Sequence, residues 1–242
     1  MAIPKTTSQM MPFHSDPLLQ GWDGHLPTPE EVAKLNKRLA IEKFVRLWLT
    51  EGTPYAFKNC PAIYEDIRGW LAYRLDACPK DITIVGSARL GFSLKPEPNF
   101  GRSFGERSDL DFALISVTIF EEFRKMFFLW VNDYEKEVVK PQNETEGGYW
   151  IENKEFGRRN LPLGFFDANK LPNLDRYRVV QRVNSTMWRL KKRIEVTPGA
   201  PVIRKASVRI YRDWKSLVTR VSYNLMLVLS KLAATSVVRP NC

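Results

Sequence analysis

Two runs decide how this chain folds: DITIVGSARLGF at 81–92 and RSDLDFALIS at 107–116, joined by a polar loop. In the first, Ile82, Thr83, Ile84 and Val85 read as an apolar strand that stops at Gly86-Ser87. In the second, Asp109 and Asp111 stand two apart among Leu110, Phe112, Ala113, Leu114 and Ile115. Side chains two apart on a strand share a face, so both carboxylates project one way while Leu110 and Phe112 project the other. Like charges placed this closely repel, and fold stability alone gives no reason for them. A divalent cation removes the conflict, since Mg²⁺ takes one or two carboxylates together with phosphate oxygens. A glycine at a strand end lets the backbone approach a phosphate, and Ser87 can donate to it or cap a following helix. A strand-start cap at Asp109 and an ordinary turn at Gly86-Ser87 explain each half separately, but not their conjunction.

A strand ending in Gly-Ser, followed by a carboxylate–hydrophobic–carboxylate strand, resembles the nucleotidyltransferase superfamily that includes DNA polymerase beta. Gly86, Ser87, Asp109 and Asp111 carry the resemblance, which spans 82–115. The loop between the two halves is longer than in the minimal members and is similar to that of the oligoadenylate and cyclic-dinucleotide synthase branches. The resemblance implies an α+β fold: a nucleotidyltransferase-type mixed sheet flanked by helices, with additional N- and C-terminal helices. It implies an enzyme that uses Mg²⁺ (or Mn²⁺) to move a nucleoside monophosphate from an NTP to a hydroxyl or phosphate acceptor on a nucleotide, RNA end or protein. Pyrophosphate leaves, and metal ions stabilise the charge developing in line. By the same resemblance Asp109 and Asp111 hold metal, and Gly86 and Ser87 hold nucleotide phosphates; Arg107 and Ser108, next to the acids in the chain, are further nucleotide-binding candidates. Active relatives add a third carboxylate on a later strand. Asp213 is the first choice for it here, with Glu152 and Asp167 as alternatives. Without that third acid the expectation shifts to a nucleotidyltransferase-like module that binds nucleic acid or a protein partner. A structural or antitoxin-like protein is the remaining reading.

Composition widens the picture. The 242 residues, 44% hydrophobic and 12% aromatic, are enough for one large domain or two small ones. No uninterrupted apolar run approaches a membrane span, and the N-terminus carries no apolar signal core. Cys60, Cys78 and Cys242 are scattered, and His14 and His25 both lie near the N-terminus, so no zinc-type spacing exists. The expectation is a reduced, cytoplasmic chain without a membrane partner. The net charge of +10 is concentrated: 171–220 holds thirteen Lys plus Arg against three Asp plus Glu. Such a bias points to an anionic partner, either nucleic acid or nucleotide phosphate.

The organisation read outward is an irregular arm over 1–27, a nucleotidyltransferase-like core over 28–170, and a basic helical part over 171–242 that completes the core. Thr28 and Glu31 form a capping box for a helix running to Glu51, with Val32, Leu35, Leu39 and Val45 as its apolar stripe. Pro61 opens a second helix to Asp76. In the loop 95–107, Lys95, Arg102 and Arg107 border the site. Thr118 and Glu121 read as a second capping box, for a helix to Val138 whose Phe120, Phe123, Phe127, Trp130 and Tyr134 form a core stripe. The segment 141–170 reads as loop with short extended pieces, Tyr149-Trp150-Ile151 among them. A helix over 173–195 places Arg178, Arg182, Arg189 and Arg193 on one flank as an anion-binding stripe. A strand over 206–213 and a helix from Trp214 follow, fraying over 236–242.

Overall fold

A computed structural model describes residues 26–237 together with Leu19. Most of the expected N-terminal arm, both histidines and Cys242 lie outside the described residues. The architecture is mixed α and β: a four-stranded sheet flanked by helices. Its strands are β1 (Ile82–Val85), β2 (Asp109–Ile115), β3 (Phe165–Asp167) and β4 (Lys205–Tyr211), in the spatial order β1-β2-β4-β3. β1 runs antiparallel to β2, β4 runs parallel to β2, and β3 closes the far edge antiparallel to β4. Both parts expected from sequence, 28–170 and 171–242, therefore contribute strands to one sheet.

Alternation along these strands separates the two faces. Ile82, Ile84, Leu110, Phe112, Leu114, Phe166, Val208 and Ile210 point to one side and are buried there. That side packs against α3 (Pro61–Leu75), α5 (Val117–Glu135) and α7 (Arg178–Glu195). Each such side chain, fully buried, contributes about 1.5–3 kcal/mol. The other face is covered only at one end, where Ala113, Ile115, Phe165 and Tyr211 meet Leu217 of α8 (Trp214–Val237).

The N-terminal helix begins as its sequence predicts. Thr28 Oγ1 accepts from the Glu31 N–H, and Glu31 Oε2 accepts from the Thr28 N–H. It then breaks: α1 (Pro29–Ala33) and α2 (Arg38–Phe44) replace the expected single helix, and α2 continues as a π-helical turn over Val45–Leu49. The turn at Lys34–Lys37, where Asn36 favours non-helical backbone, lets Leu35 turn inward and leaves Leu39 exposed. The cap of α5 is Ser116, whose Oγ accepts from the Ile119 N–H at 3.2 Å, two residues earlier than the expected Thr118. A further difference is α6 (Glu144–Asn160), where loop was expected. Asn143 caps it, and Gly157 is required because a Cβ there would fall 2.0 Å from the Phe127 ring. Glycines that argue against a helix by propensity here permit close packing of one. α7 starts at Arg178, later than expected, because Tyr177 is turned into the core to bond Asp133.

α8 is, among the described residues, one helix long and apolar enough by length and composition to cross a membrane, over Trp214–Thr235. Counting uninterrupted apolar runs missed it. Here Leu217, Leu225, Val228 and Leu229 are buried, with Leu225 and Leu229 in the cluster formed by α1 and α2.

Candidate functional site

The half-covered face of the sheet is organised in cross-strand rows set by register. Asp109 stands beside Lys205; Asp111 stands between Val85 and Ser207; Ala113 stands between Thr83 and Arg209, with Asp167 beyond. The next row, Ile115, Tyr211 and Phe165, is apolar and lies under α8. Charge therefore gathers at the open end, where β2 and β4 begin.

Asp109 and Asp111 share this face, as their spacing requires. Val85 pairs with Asp111, which brings the strand-end glycine to the acid: a Cβ built on Gly86 would lie 3.7 Å from Asp111 Oδ2. Gly86 has φ 74° and ψ −151°, a conformation essentially confined to glycine. It turns the chain from β1 into the single-turn helix α4 (Ser87–Leu90). Arg89 anchors that turn from behind. Its guanidinium is buried and donates to the carbonyls of Trp48 at 2.9 Å and Gly52 at 2.7 Å. The glycine turn at the end of β1 and Asp111 are thus adjacent.

Neither acid is bare. Arg204 embraces Asp109 with two hydrogen bonds, Nε to Oδ1 at 3.0 Å and Nη2 to Oδ2 at 2.8 Å. These bonds hold the Asp109 carboxyl below the usual carboxylate range; partial burial opposes them, while the charges of Arg204, Lys205 and Lys95 assist. Asp111 Oδ1 accepts from Ser207 Oγ at 2.6 Å. One row along, Asp167 and Arg209 form a second bidentate pair. Burial disfavours the Arg209 charge, but Asp167 and Tyr211 outweigh it and raise its pKa.

The remaining expected residues fall as follows. Ser108 is buried and builds the loop: its Oγ accepts from the Gly105 N–H and its carbonyl from the Arg204 N–H. Arg107 is exposed on that loop. Asp213 does not join the pair. It follows the end of β4, beyond Tyr211, whose row partner Ile115 lies about 13 Å along β2 from Asp111. There it caps α8, accepting from the Ser216 N–H and Oγ, and pairs with Arg212. Those bonds lower its pKa despite the burial that opposes them. Glu152 lies on α6, and Asp167 is committed to Arg209 two strands away from β2. The positions of β4 that do share the face of Asp109 and Asp111 are Lys205, Ser207, Arg209 and Tyr211, none of them a carboxylate.

These facts bear on a metal. Two carboxylates on one face meet the minimum protein contribution for Mg²⁺. Among the described residues, however, no group of three or more metal-ligating side chains converges. Both oxygens of Asp109 are already engaged by Arg204. Asp111, together with Asp109 once Arg204 is displaced, would be the pair to hold an Mg²⁺ ion that arrives with phosphate oxygens.

On α7, Arg178, Arg182, Arg189 and Arg193 are all exposed. Arg182 pairs with Glu122 of α5 at 3.3 Å, and Arg193 stacks 5.0 Å over the Trp70 ring. Half the stripe is therefore engaged in holding helices together. Cys60 and Cys78 are free thiols, and burial pushes the Cys60 thiol up. What the sequence reading missed is the partner set of the acids, the cations Arg204, Lys205 and Arg209 and the Ser207 hydroxyl. Its alternation was visible at 205–209, but its register against β2 was not. Searches against family models, curated proteins and solved structures find no match to this chain.

Proposed function

We propose that the chain is a nucleotidyltransferase-like module that binds the phosphates of a nucleotide at the open end of the sheet, without three-carboxylate catalysis. The observation that carries this reading is the closeness of Gly86 to Asp111, such that a Cβ built on the glycine would lie 3.7 Å from the Asp111 Oδ2. It sets a glycine-only turn beside the second acid, in the order that the resemblance implies. A ligand bringing its own Mg²⁺ would offer that ion to Asp111 and Asp109. Arg204, exposed on its outer side, would then exchange Asp109 for a phosphate oxygen, as guanidinium suits both partners. What supports binding without turnover is that Lys205, Ser207 and Arg209 occupy the β4 positions beside the acids, where an acceptor-activating acid would be needed.

A second reading keeps the full reaction: transfer of a nucleoside monophosphate from an NTP to a hydroxyl or phosphate acceptor, with release of pyrophosphate. The shared face of Asp109 and Asp111 favours it, since Mg²⁺ needs only one or two protein carboxylates beside substrate phosphates. One experiment separates the two. Each NTP is titrated with and without Mg²⁺ or Mn²⁺, and the same mixtures, with nucleotide, RNA and protein acceptors, are analysed for product. Saturable binding without product, lost in Asp109→Ala plus Asp111→Ala, supports the first reading. Product that requires both acids supports the second, and binding untouched by that double change rejects the site. Nucleic acid on α7 is a further part of the proposal, resting on Arg178 and Arg189. Their substitution by Gln should lower the salt dependence of RNA binding.

A further inference from the structure

A cavity of about 570 Å³ opens where α6, the edge strand β3 and the first half of α8 meet. Its walls are apolar, formed mainly by Phe156, Leu163, Phe165 and Tyr223. Its charged groups are Arg159 and Arg220; no Asp or Glu lines it. It lies by Phe165, in the row of Ile115 and Tyr211, and so at the end of the sheet away from Asp109. It shares no lining residue with the acid pair.

Arg220 is the unusual group. Its guanidinium sits 4.7 Å over the Phe165 ring and 6.0 Å from the Tyr223 ring centre. Its Nε is enclosed and has no hydrogen-bond partner. Among the described residues no carboxylate lies within salt-bridge reach of it. Burial pushes its pKa down, and so does the nearby charge of Arg209, whose own carboxylate, Asp167, is already taken. A half-buried cation held between aromatic rings, with a second cation at the rim and no acid in the walls, is electrostatically incomplete.

We propose that this cavity binds a small amphiphilic anion, its flat aromatic body against Phe156, Leu163 and Tyr223 and its single acidic group at Arg220 and Arg159. The volume suits a ligand of drug-like size, and aromatic walls with a few placed polar groups are the usual make-up of such sites. The guanidinium gains an oxyanion in a partly dry setting, where charge-assisted hydrogen bonds are strongest. Carboxylate and phosphate share this chemistry. The site is independent of the nucleotide reading.

The test is calorimetric titration of the full chain with naphthoate, naphthyl phosphate and neutral naphthamide. At least one anion should bind at a single site, at least about tenfold more tightly than the amide, a difference of about 1.4 kcal/mol. Which anion binds better identifies the natural head group. Arg220→Gln should remove that advantage and leave amide binding unchanged. Thr219→Trp, at an exposed rim position, should block all three without touching the core, and Arg159→Gln should weaken only the anions. Should Arg220→Gln fail to fold, the two rim variants carry the test. Equal affinity for amide and anions overturns the proposal, as does anion binding that survives Thr219→Trp, or no binding by any probe at millimolar concentration.

Discussion

Two faces of one strand behave differently. On β2, Leu110, Phe112 and Leu114 look into a wall of helices, while Asp109 and Asp111 look onto a surface that α8 covers only at its far end. The same two-residue period wrote both. On the closed face the period is satisfied by packing, and any apolar residue of the right volume serves. On the open face it is satisfied by pairing: Asp109 with Arg204, Asp111 with Ser207, and Asp167 with Arg209 on the neighbouring strands. The closed face therefore stores stability, and the open face carries paired polar groups at small stability cost.

Substitutions sharpen or break this contrast. The largest effect belongs to Phe112→Ala, which empties a fully buried site and should cost about 3–5 kcal/mol in denaturant unfolding. Asp111→Ala, one residue away, should stay within about 1 kcal/mol, because it removes one partly exposed hydrogen bond. Equal losses at the two positions would erase the distinction between the faces. Gly86→Ala comes next. Its Cβ meets only ordinary contact at 3.7 Å, but the backbone conformation excludes it, so about 1–3 kcal/mol should be lost together with nucleotide binding. A variant that keeps binding would separate the glycine turn from the site.

Behind the sheet, Asp133→Ala strands the buried Tyr177 hydroxyl, which donates to Asp133 at 2.9 Å. It should cost about 1–3 kcal/mol without altering ligand binding. The smallest effect is at Asp109. Its folded pKa is depressed, so its pairing stabilises above the ordinary carboxylate pKa of about 3.9 and is lost as pH falls through the folded value. Wild type should lose up to about 1 kcal/mol more than Arg204→Gln on acidification below pH ~4. Parallel acid-unfolding curves would show that the bridge contributes nothing.

The strands that carry the pair and the helices that open with clear caps or prolines were legible in the sequence, because their signals are local. Ile82–Val85 alternates, Thr28 and Glu31 reach each other three residues apart, and Pro61 starts α3. The misses were non-local. Gly147, Gly148 and Gly157 read as loop until Phe127 of α5 is seen packed against Gly157. Asp213 read as a facing carboxylate until the end of β4 at Tyr211 turns it into a helix cap. The partners of Asp109 and Asp111 lie 95 and 96 residues downstream, and only the parallel register of β4 names them.

That register has an effect on timing. β4 is last among the strands in the chain, yet it occupies an interior place in the sheet, between β2 and β3. Until residues 205–211 leave the ribosome, β2 exposes an unsatisfied edge, β3 has no strand to pair with, and the acids of β2 lack Arg204 and Ser207. Long-range parallel pairing of this kind is slow and leaves nascent chains open to wrong partners. A translation pause or truncation before Lys205 would release a chain with its seat and both acids made but its sheet unzipped down the middle. Such a product should be a preferred chaperone client.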